Sequence, residues 1–155
     1  MNSSVSEKIF DIFRKHRIPA NGVLYPRHIS ASVHLWEEES QQSFEEEMSG
    51  LVQQGYVNVD DDTYRLTALG YEYLYRHYSL ADTIEIILAD FRKRRIDKND
   101  ILLLPALLAT LQNEDRYHFD QYDKAIRCLV EKDWLIANGR GFILTNEGYR
   151  EVYPE

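Results

Sequence analysis

The strongest constraint on this sequence is that it matches itself without a gap when it is shifted by 78 residues. The segment FRKHRIPANGVL at 13–24 aligns with FRKRRIDKNDIL at 91–102, and YRLTALGYEYLY at 64–75 aligns with FILTNEGYREVY at 142–153. Between residues 7 and 76, 17 positions are identical to their counterparts 78 residues later. A gapless register over a whole domain length predicts that one folding unit occurs twice. We therefore expect two domains, at residues 1–78 and 79–155, related by internal duplication.

The hydrophobic spacing in each copy predicts the order helix, short strand, helix, helix, β-hairpin, helix. In the first copy it predicts helices over 5–17, 26–36 and 67–78, with a short strand at 23–25. Thr67 and its counterpart in the second copy are placed to N-cap the last helix. The expected fold class is therefore mainly α with small β-hairpins, an α+β arrangement.

The third helix of each copy has a clear apolar face, which defines the positions that point outward. Apolar residues follow the helical spacing in both copies: Phe44, Met48, Leu51 and Val52, then Tyr122, Ile126, Leu129 and Val130. The outward positions are therefore Gln42, Glu45, Glu46, Ser49 and Gln53 in the first copy, and Asp120, Asp123, Lys124, Arg127 and Glu131 in the second.

The segments LTALGY and LTNEGY follow the predicted hairpins at matching positions. Together with the third-helix patterns, they make each copy resemble the winged-helix family, a helix-turn-helix variant. The resemblance covers nearly the whole chain. It implies two winged-helix domains, in which the third helix is the usual reading element and the hairpin is the wing. It does not identify a subfamily, and the fold also occurs in protein-interaction modules.

Charge argues against ordinary DNA reading by the first copy. The chain carries a net charge of −8, whereas DNA-binding proteins usually present a basic surface to the phosphates. Glu45 and Glu46 occupy the predicted reading face, Glu37–Glu39 lie in the adjoining loop, and Asp60–Asp62 lie in the predicted wing. We expect this surface to repel a polyanion.

The second copy carries more cations on the equivalent surface. The candidate nucleic-acid-binding residues are Arg116 just before the third helix, Lys124 and Arg127 on it, and Arg140 in the wing. These side chains could contact phosphates. The alternative is a mixed-charge solvated surface.

Two apolar features suggest a protein partner or a homodimer. Tyr71 and Tyr75 lie on a tyrosine stripe of the last helix of the first copy, and the run at 105–111 is very apolar for a small core. The alternative for the stripe is a core position. The candidate partner-binding residues are Glu45, Glu46, Tyr71 and Tyr75.

The sequence contains no pattern typical of catalysis or of cofactor binding. The histidines are scattered, no glycine-rich phosphate loop is present, and Cys128 lacks an activating neighbour in the sequence. No catalytic, cofactor or metal residue, small-molecule substrate or membrane partner is expected. A single cysteine and an N-terminus without an apolar leader favour a cytoplasmic location.

These observations rank three hypotheses about the function of the chain. The first is a non-enzymatic adapter or regulatory accessory that acts mainly through protein–protein interaction. The alternative is a DNA-binding transcriptional regulator that uses the second winged helix. A weaker alternative is an acidic DNA mimic that occupies a nucleic-acid-binding partner.

Overall fold

The computed structural model describes residues 2–154, which divide into two compact units on either side of Arg76 and His77. We refer to them as unit 1 and unit 2. The protein is mainly α-helical with two small antiparallel sheets of three strands. This confirms the expected α+β class, and it adds the short first strand of each copy to the predicted hairpin as a third strand.

Unit 1 contains four helices and three strands among its described residues. In chain order these are α1 (Asn2–Lys15), β1 (Val23–Leu24), α2 (Pro26–Val33), α3 (Glu38–Gln53), β2 (Val57–Asp60), β3 (Thr63–Leu66) and α4 (Ala68–Leu74).

Unit 2 has the same order, except that the third helix is divided at Gln121. Its elements are α5 (Leu80–Lys93), β4 (Ile101–Leu103), α6 (Leu104–Gln112), α7 (Arg116–Asp120), α8 (Tyr122–Glu131), β5 (Leu135–Ala137), β6 (Gly141–Leu144) and α9 (Asn146–Val152).

The two units agree in position as well as in order. From the second helix onward, each element of unit 1 begins 78 residues before its counterpart in unit 2: α2 and α6, α3 and α7, β2 and β5, β3 and β6, α4 and α9. Left-handed backbone conformations recur at the same spacing, for example at Asp61 and Gly139 and at Gly55 and Asp133. The sequence offset is therefore also an offset in local backbone structure.

Each sheet has its last strand in the middle. The order is β1-β3-β2 in unit 1 and β4-β6-β5 in unit 2, and all pairs are antiparallel. In the hairpins Val59 pairs with Tyr64 and Ala137 pairs with Phe142. Because side chains alternate across a strand, this register fixes which residues of β3 and β6 share a side of the sheet.

Each unit has its own apolar core. Ile9, Phe13, Leu24 and Leu66 are fully buried in unit 1, as their helical and strand spacing predicts. The counterparts in unit 2 are also fully buried: Ile87, Phe91, Leu102 and Leu144. These residues attach the helices to the sheet and hold the third helix beside the hairpin.

The last helix of each unit approaches the turn before the hairpin very closely. Thr67 caps α4 by accepting a hydrogen bond from Gly70 N (2.9 Å), and Thr145 caps α9 through Gly148 N (3.0 Å), which confirms the predicted caps. A Cβ at Gly70 would overlap the carbonyl oxygen of Tyr56, and one at Gly148 would overlap that of Trp134. Only glycine permits this packing.

Several sequence-based boundaries are wrong. The helix predicted over 5–17 spans Asn2–Lys15. The helix predicted over 67–78 ends at Leu74, and the one predicted over 26–36 ends at Val33. Glu38 and Glu39, expected in a loop, form the first turn of α3. Carboxylates are favoured there because they interact with the positive end of the helix dipole.

Candidate binding face of the third helix and the hairpin

The outer face of α3 carries the acidic side chains that the helical spacing predicts. Phe44, Met48 and Leu51 are buried, so the opposite surface of the helix faces solvent. The five positions expected to point outward are all exposed: Gln42, Glu45, Glu46, Ser49 and Gln53. Glu45 and Glu46 therefore lie on a solvent-facing helix surface in unit 1.

A groove follows this face between α3 and the hairpin of unit 1. It consists of two adjoining hollows of about 420 and 380 Å³, and both are lined by Glu45 and Tyr64. We call the two together the unit 1 groove. The remaining lining residues are Met48, Ser49, Val52, Gln53 and Val59 in the first hollow, and Pro26, Ile29, Ser30, Phe44, Asp61 and Asp62 in the second.

Tyr64 is placed in the groove by the hairpin register. It lies in the central strand β3 opposite Val59, whose side chain is 55% exposed. Burial raises the pKa of the Tyr64 hydroxyl, and the nearby Glu45 carboxylate raises it further. The phenol therefore stays neutral at physiological pH and offers an aromatic face beside a carboxylate.

The three aspartates of the hairpin turn differ in what they contact. Asp60 forms an ion pair with Arg65 (3.8 Å), whose Nη1 also donates to the carbonyl of Asn21 (2.7 Å). Asp61 and Asp62 are exposed and line the groove. The negative charge of the turn that faces the groove therefore comes from Asp61 and Asp62.

The equivalent face of unit 2 has a different charge pattern. Lys124, Arg127 and Arg140 are exposed, and within residues 2–154 they form no ion pair. Arg116 lies inside α7 rather than before a helix. Its guanidinium contacts Asp120 (3.0 Å) and the Phe119 ring (5.6 Å). These contacts leave Arg116 less available for phosphate than the other three cations.

The tyrosine stripe is largely a packing feature. Tyr75 is only 4% exposed, and its ring contacts that of Tyr71 edge-on at 5.0 Å. Tyr71 is half-buried. Tyr75 therefore occupies the core position that was the alternative for the stripe, and a role in partner binding for Tyr71 and Tyr75 stays a prediction.

The apolar second helix of unit 2 is also used mainly by its own core. Leu107 and Leu111 are fully buried, and Leu104 and Ala106 pack against the same cluster. Leu103, just before α6, is 43% exposed. The idea of a dimer interface here stays a prediction.

The basic clusters that end the first helix of each unit are engaged in local contacts. Arg14 pairs with Asp11, Arg92 donates to the carbonyl of Val152 (2.9 Å), and Arg94 pairs with buried Asp90 (3.1 Å). These contacts hold the helix ends in place.

Sequence reasoning missed Tyr64 and Ser30 as groove residues. They are 34 positions apart in the chain and meet only through the packing of α2 beside β3. The repeat contained a signal for these residues, because the position of Ser30 aligns with Leu108 and that of Tyr64 aligns with Phe142. Two polar-for-apolar exchanges on neighbouring elements indicate a surface that has become more open to solvent.

The described part of the chain, residues 2–154, also bears on metal binding and membrane insertion. No cluster of three or more histidine, cysteine or acidic side chains suited to a metal ion was found there. No helix in this part of the chain combines the length and apolarity needed to cross a membrane.

Comparison with known proteins gave no match to a protein-family model, to a curated protein or to a solved structure.

Proposed function

We propose that the chain consists of two duplicated winged-helix domains and is a non-enzymatic binding protein that acts mainly through protein–protein interaction. The order of elements in both units supports the winged-helix assignment, with α3 or α7–α8 as third helix and the β2–β3 or β5–β6 hairpin as wing. The common 78-residue offset of elements, caps and left-handed residues supports duplication.

The observation that carries the proposal is the acidic face of unit 1. Glu45 and Glu46 on α3 and Asp61 and Asp62 in the hairpin turn are exposed on the two elements that a DNA-reading winged helix would place against the duplex. Approaching phosphates would be repelled by all four carboxylates. A surface of this charge, with a groove beside it, suits a cationic protein partner.

The proposal is tested by capturing partners with the tagged full chain from native lysate, followed by mass spectrometry. The wild type is compared with the double variant Glu45→Lys/Glu46→Lys. Glu151→Lys, which alters an exposed glutamate of α9 in unit 2, is the charge-reversal control at a single site outside this face. We expect one partner to be recovered with the wild type and Glu151→Lys, and to be lost with the double variant. Equal recovery with all three chains would contradict the proposal.

A second candidate function, a DNA-binding regulator that uses unit 2, is favoured by the exposed Lys124, Arg127 and Arg140. Arg140 follows Gly139, whose left-handed backbone (φ 85°) forms the hairpin turn, and Asn138 Oδ1 accepts from Arg140 N (3.0 Å). The turn therefore presents this arginine at the tip of the wing. Asp120, Asp123 and Glu131 on the same face oppose phosphate approach.

The second candidate predicts a mobility shift with a pool of random-sequence duplexes. The affinity should fall steeply as salt is raised, since each phosphate contact releases a counterion. Arg127→Glu and Arg140→Glu should abolish the shift. Arg150→Glu, at an exposed position of α9, should retain it. The absence of a shift at low salt would remove this candidate.

A further inference from the structure

We propose that the unit 1 groove binds an arginine-bearing segment of a protein partner, with the arginine seated between Glu45 and Tyr64. This inference rests on the proposed function, because both place the partner on the same face of unit 1. It adds the chemistry of the partner and the position of its main contact.

The unit 1 groove is open to solvent and large enough to accept side chains of a bound segment. Its two hollows, of about 420 and 380 Å³, are within the usual range of ligand pockets, roughly 300–1,000 Å³. One hollow has apolar walls from Met48, Val52 and Val59, and the other reaches Asp61 and Asp62. A bound segment would therefore place apolar and cationic side chains next to each other.

The negative charge of the groove determines that its occupant must be a cation. Within residues 2–154 neither Glu45 nor Asp61 nor Asp62 forms an ion pair. Asp60 is instead paired with Arg65. A cation that enters the groove would gain these carboxylates as partners, whereas an anion would be repelled by all of them.

The pairing of a carboxylate with an aromatic ring favours arginine over lysine. A guanidinium can donate two parallel hydrogen bonds to one carboxylate and can also stack on an aromatic face, which a lysine ammonium cannot do in the same geometry. Glu45 and Tyr64 border both hollows, so one arginine at their junction would meet both groups. The apolar wall around Val59 would contact a neighbouring apolar residue of the segment.

The inference is tested by fluorescence anisotropy with the full chain at physiological ionic strength. The probe is a fluorescein-labelled octapeptide of alternating arginine and leucine. Matched octapeptides replace arginine by lysine or by citrulline, which is isosteric but uncharged. We expect saturable binding of the arginine peptide, weaker binding of the lysine peptide, and binding of the citrulline peptide that is weaker by at least about tenfold, the size expected for losing a charge-assisted hydrogen bond.

Two neighbouring glutamates provide the matched control. Glu45 lines both hollows, whereas Glu46, which is also exposed, lines neither. Glu45→Gln should weaken binding of the arginine peptide by about tenfold, and Glu46→Gln should change it by less than about twofold because it alters only the general field. Tyr64→Leu should reduce the preference for arginine over lysine. Circular dichroism confirms that each variant is folded.

Three results would overturn the inference: no saturable binding of the arginine peptide, equal losses with Glu45→Gln and Glu46→Gln, or competition by spermidine as effective as that by unlabelled peptide. The first two leave the proposed function intact if partner capture still depends on Glu45→Lys/Glu46→Lys. The opposite result is also distinguishable. If the arginine peptide binds as expected but Glu45→Lys/Glu46→Lys leaves partner capture unchanged, the proposed function is contradicted and the specificity of the groove is not.

Discussion

At the side of the hairpin, unit 1 carries Ser30 and Tyr64 where unit 2 carries Leu108 and Phe142. Phe142 is only 6% exposed, and the centroid of its ring lies 6.4 Å from that of Tyr122 in an edge-on contact. Tyr64, in contrast, is half-buried and lines an open groove. The backbone is equivalent at these positions, so the difference comes from side-chain volume and polarity. One scaffold thus supports an open acidic surface in unit 1 and a more closed, mixed-charge surface in unit 2.

A second pair of matching sites lies where the first helix meets the second. Unit 1 has Ile12 buried there, and its His16 and His28 rings stack at 4.3 Å. In unit 2, Asp90 replaces the isoleucine and accepts hydrogen bonds from Arg94 (3.1 Å) and Thr110 (2.9 Å). The same helix contact is therefore formed by Ile12 and stacked imidazole rings in one unit and by an ionic network in the other.

The units can be followed separately because each contains one tryptophan, Trp36 in unit 1 and Trp134 in unit 2. In a Trp36→Phe background the fluorescence reports unit 2, and in a Trp134→Phe background it reports unit 1. Separate reporters are needed because a chain with two units need not unfold in a single step.

The largest expected loss of stability should occur in both units. Gly70→Ala and Gly148→Ala each drive a Cβ into a backbone carbonyl oxygen, so each should lower the free energy of unfolding of its own unit by about 3 kcal/mol, near the upper end for overpacking. Denaturant unfolding with the matching tryptophan measures this. Gly50→Ala, in α3 with open space around the new Cβ, should instead stabilise unit 1 by up to about 1 kcal/mol. A large cost in only one unit would contradict the equivalence of the two.

The next effect should be confined to unit 2. Asp90→Ala removes the acceptor of Arg94 and Thr110 and should lower the free energy of unfolding of unit 2 by about 2 kcal/mol, since a buried hydrogen-bond partner is lost. Trp134 fluorescence during denaturant unfolding measures it. Asp123→Ala, at an exposed position, is the control and should stay within about 0.5 kcal/mol. A cost for Asp90→Ala no greater than that of the control would show that the ionic network does not stabilise unit 2.

Filling the unit 1 groove with a larger apolar side chain should make its surface resemble that of unit 2. Ser30→Leu introduces the residue that unit 2 has at the matching position, and Ser30 is exposed at the edge of the groove. We expect binding of the arginine peptide to weaken by about tenfold, equivalent to about 1.4 kcal/mol, with the unfolding midpoint of unit 1 little changed. Ser49→Leu in the other hollow tests whether both hollows are used. Unchanged peptide affinity in both variants would show that the groove is not the binding site.

The smallest effect should be a pH dependence of unit 2. His118 is buried, with its Nδ1 2.7 Å from Thr83 Oγ1, where unit 1 has Ser40 at the matching position. Burial lowers the pKa of His118, although the carboxylates of Glu114, Asp115 and Asp82 oppose the shift. The unfolded chain then binds the proton more readily than the folded one. The stability that His118 contributes is complete above about pH 6.5 and is lost as the pH falls through the lowered pKa.

This pH effect is measured from the denaturant midpoint of unit 2 at pH 7.5 and pH 5.0. We expect a decrease on acidification that is smaller in His118→Gln. An identical decrease in the variant would assign the acid sensitivity to other groups. In unit 1, His16 has its pKa lowered by burial, by His28 and by Lys15, so the midpoint of unit 1 should also fall on acidification and should not respond to His118→Gln.

Sequence patterns were sufficient for the element order of unit 1, the caps and the outward face of α3, but they did not predict the division of the third helix of unit 2 at Gln121. They failed where a residue's environment depends on distant segments. The spacing of Asp90 and Arg94 suggests a helical pair, but nothing in it indicates that Thr110 completes the network. The tyrosine stripe was visible, but the direction in which Tyr75 points was not.

The sequence by itself determined that similar units occur twice and that the third-helix face of the first is acidic, because periodicity and charge are properties of neighbouring residues. Only the tertiary structure decided that Glu45 borders a groove and that Glu46 does not. That distinction depends on how α2 and the hairpin pack beside α3, which brings Ser30, Tyr64 and Asp61 together from separate parts of the chain.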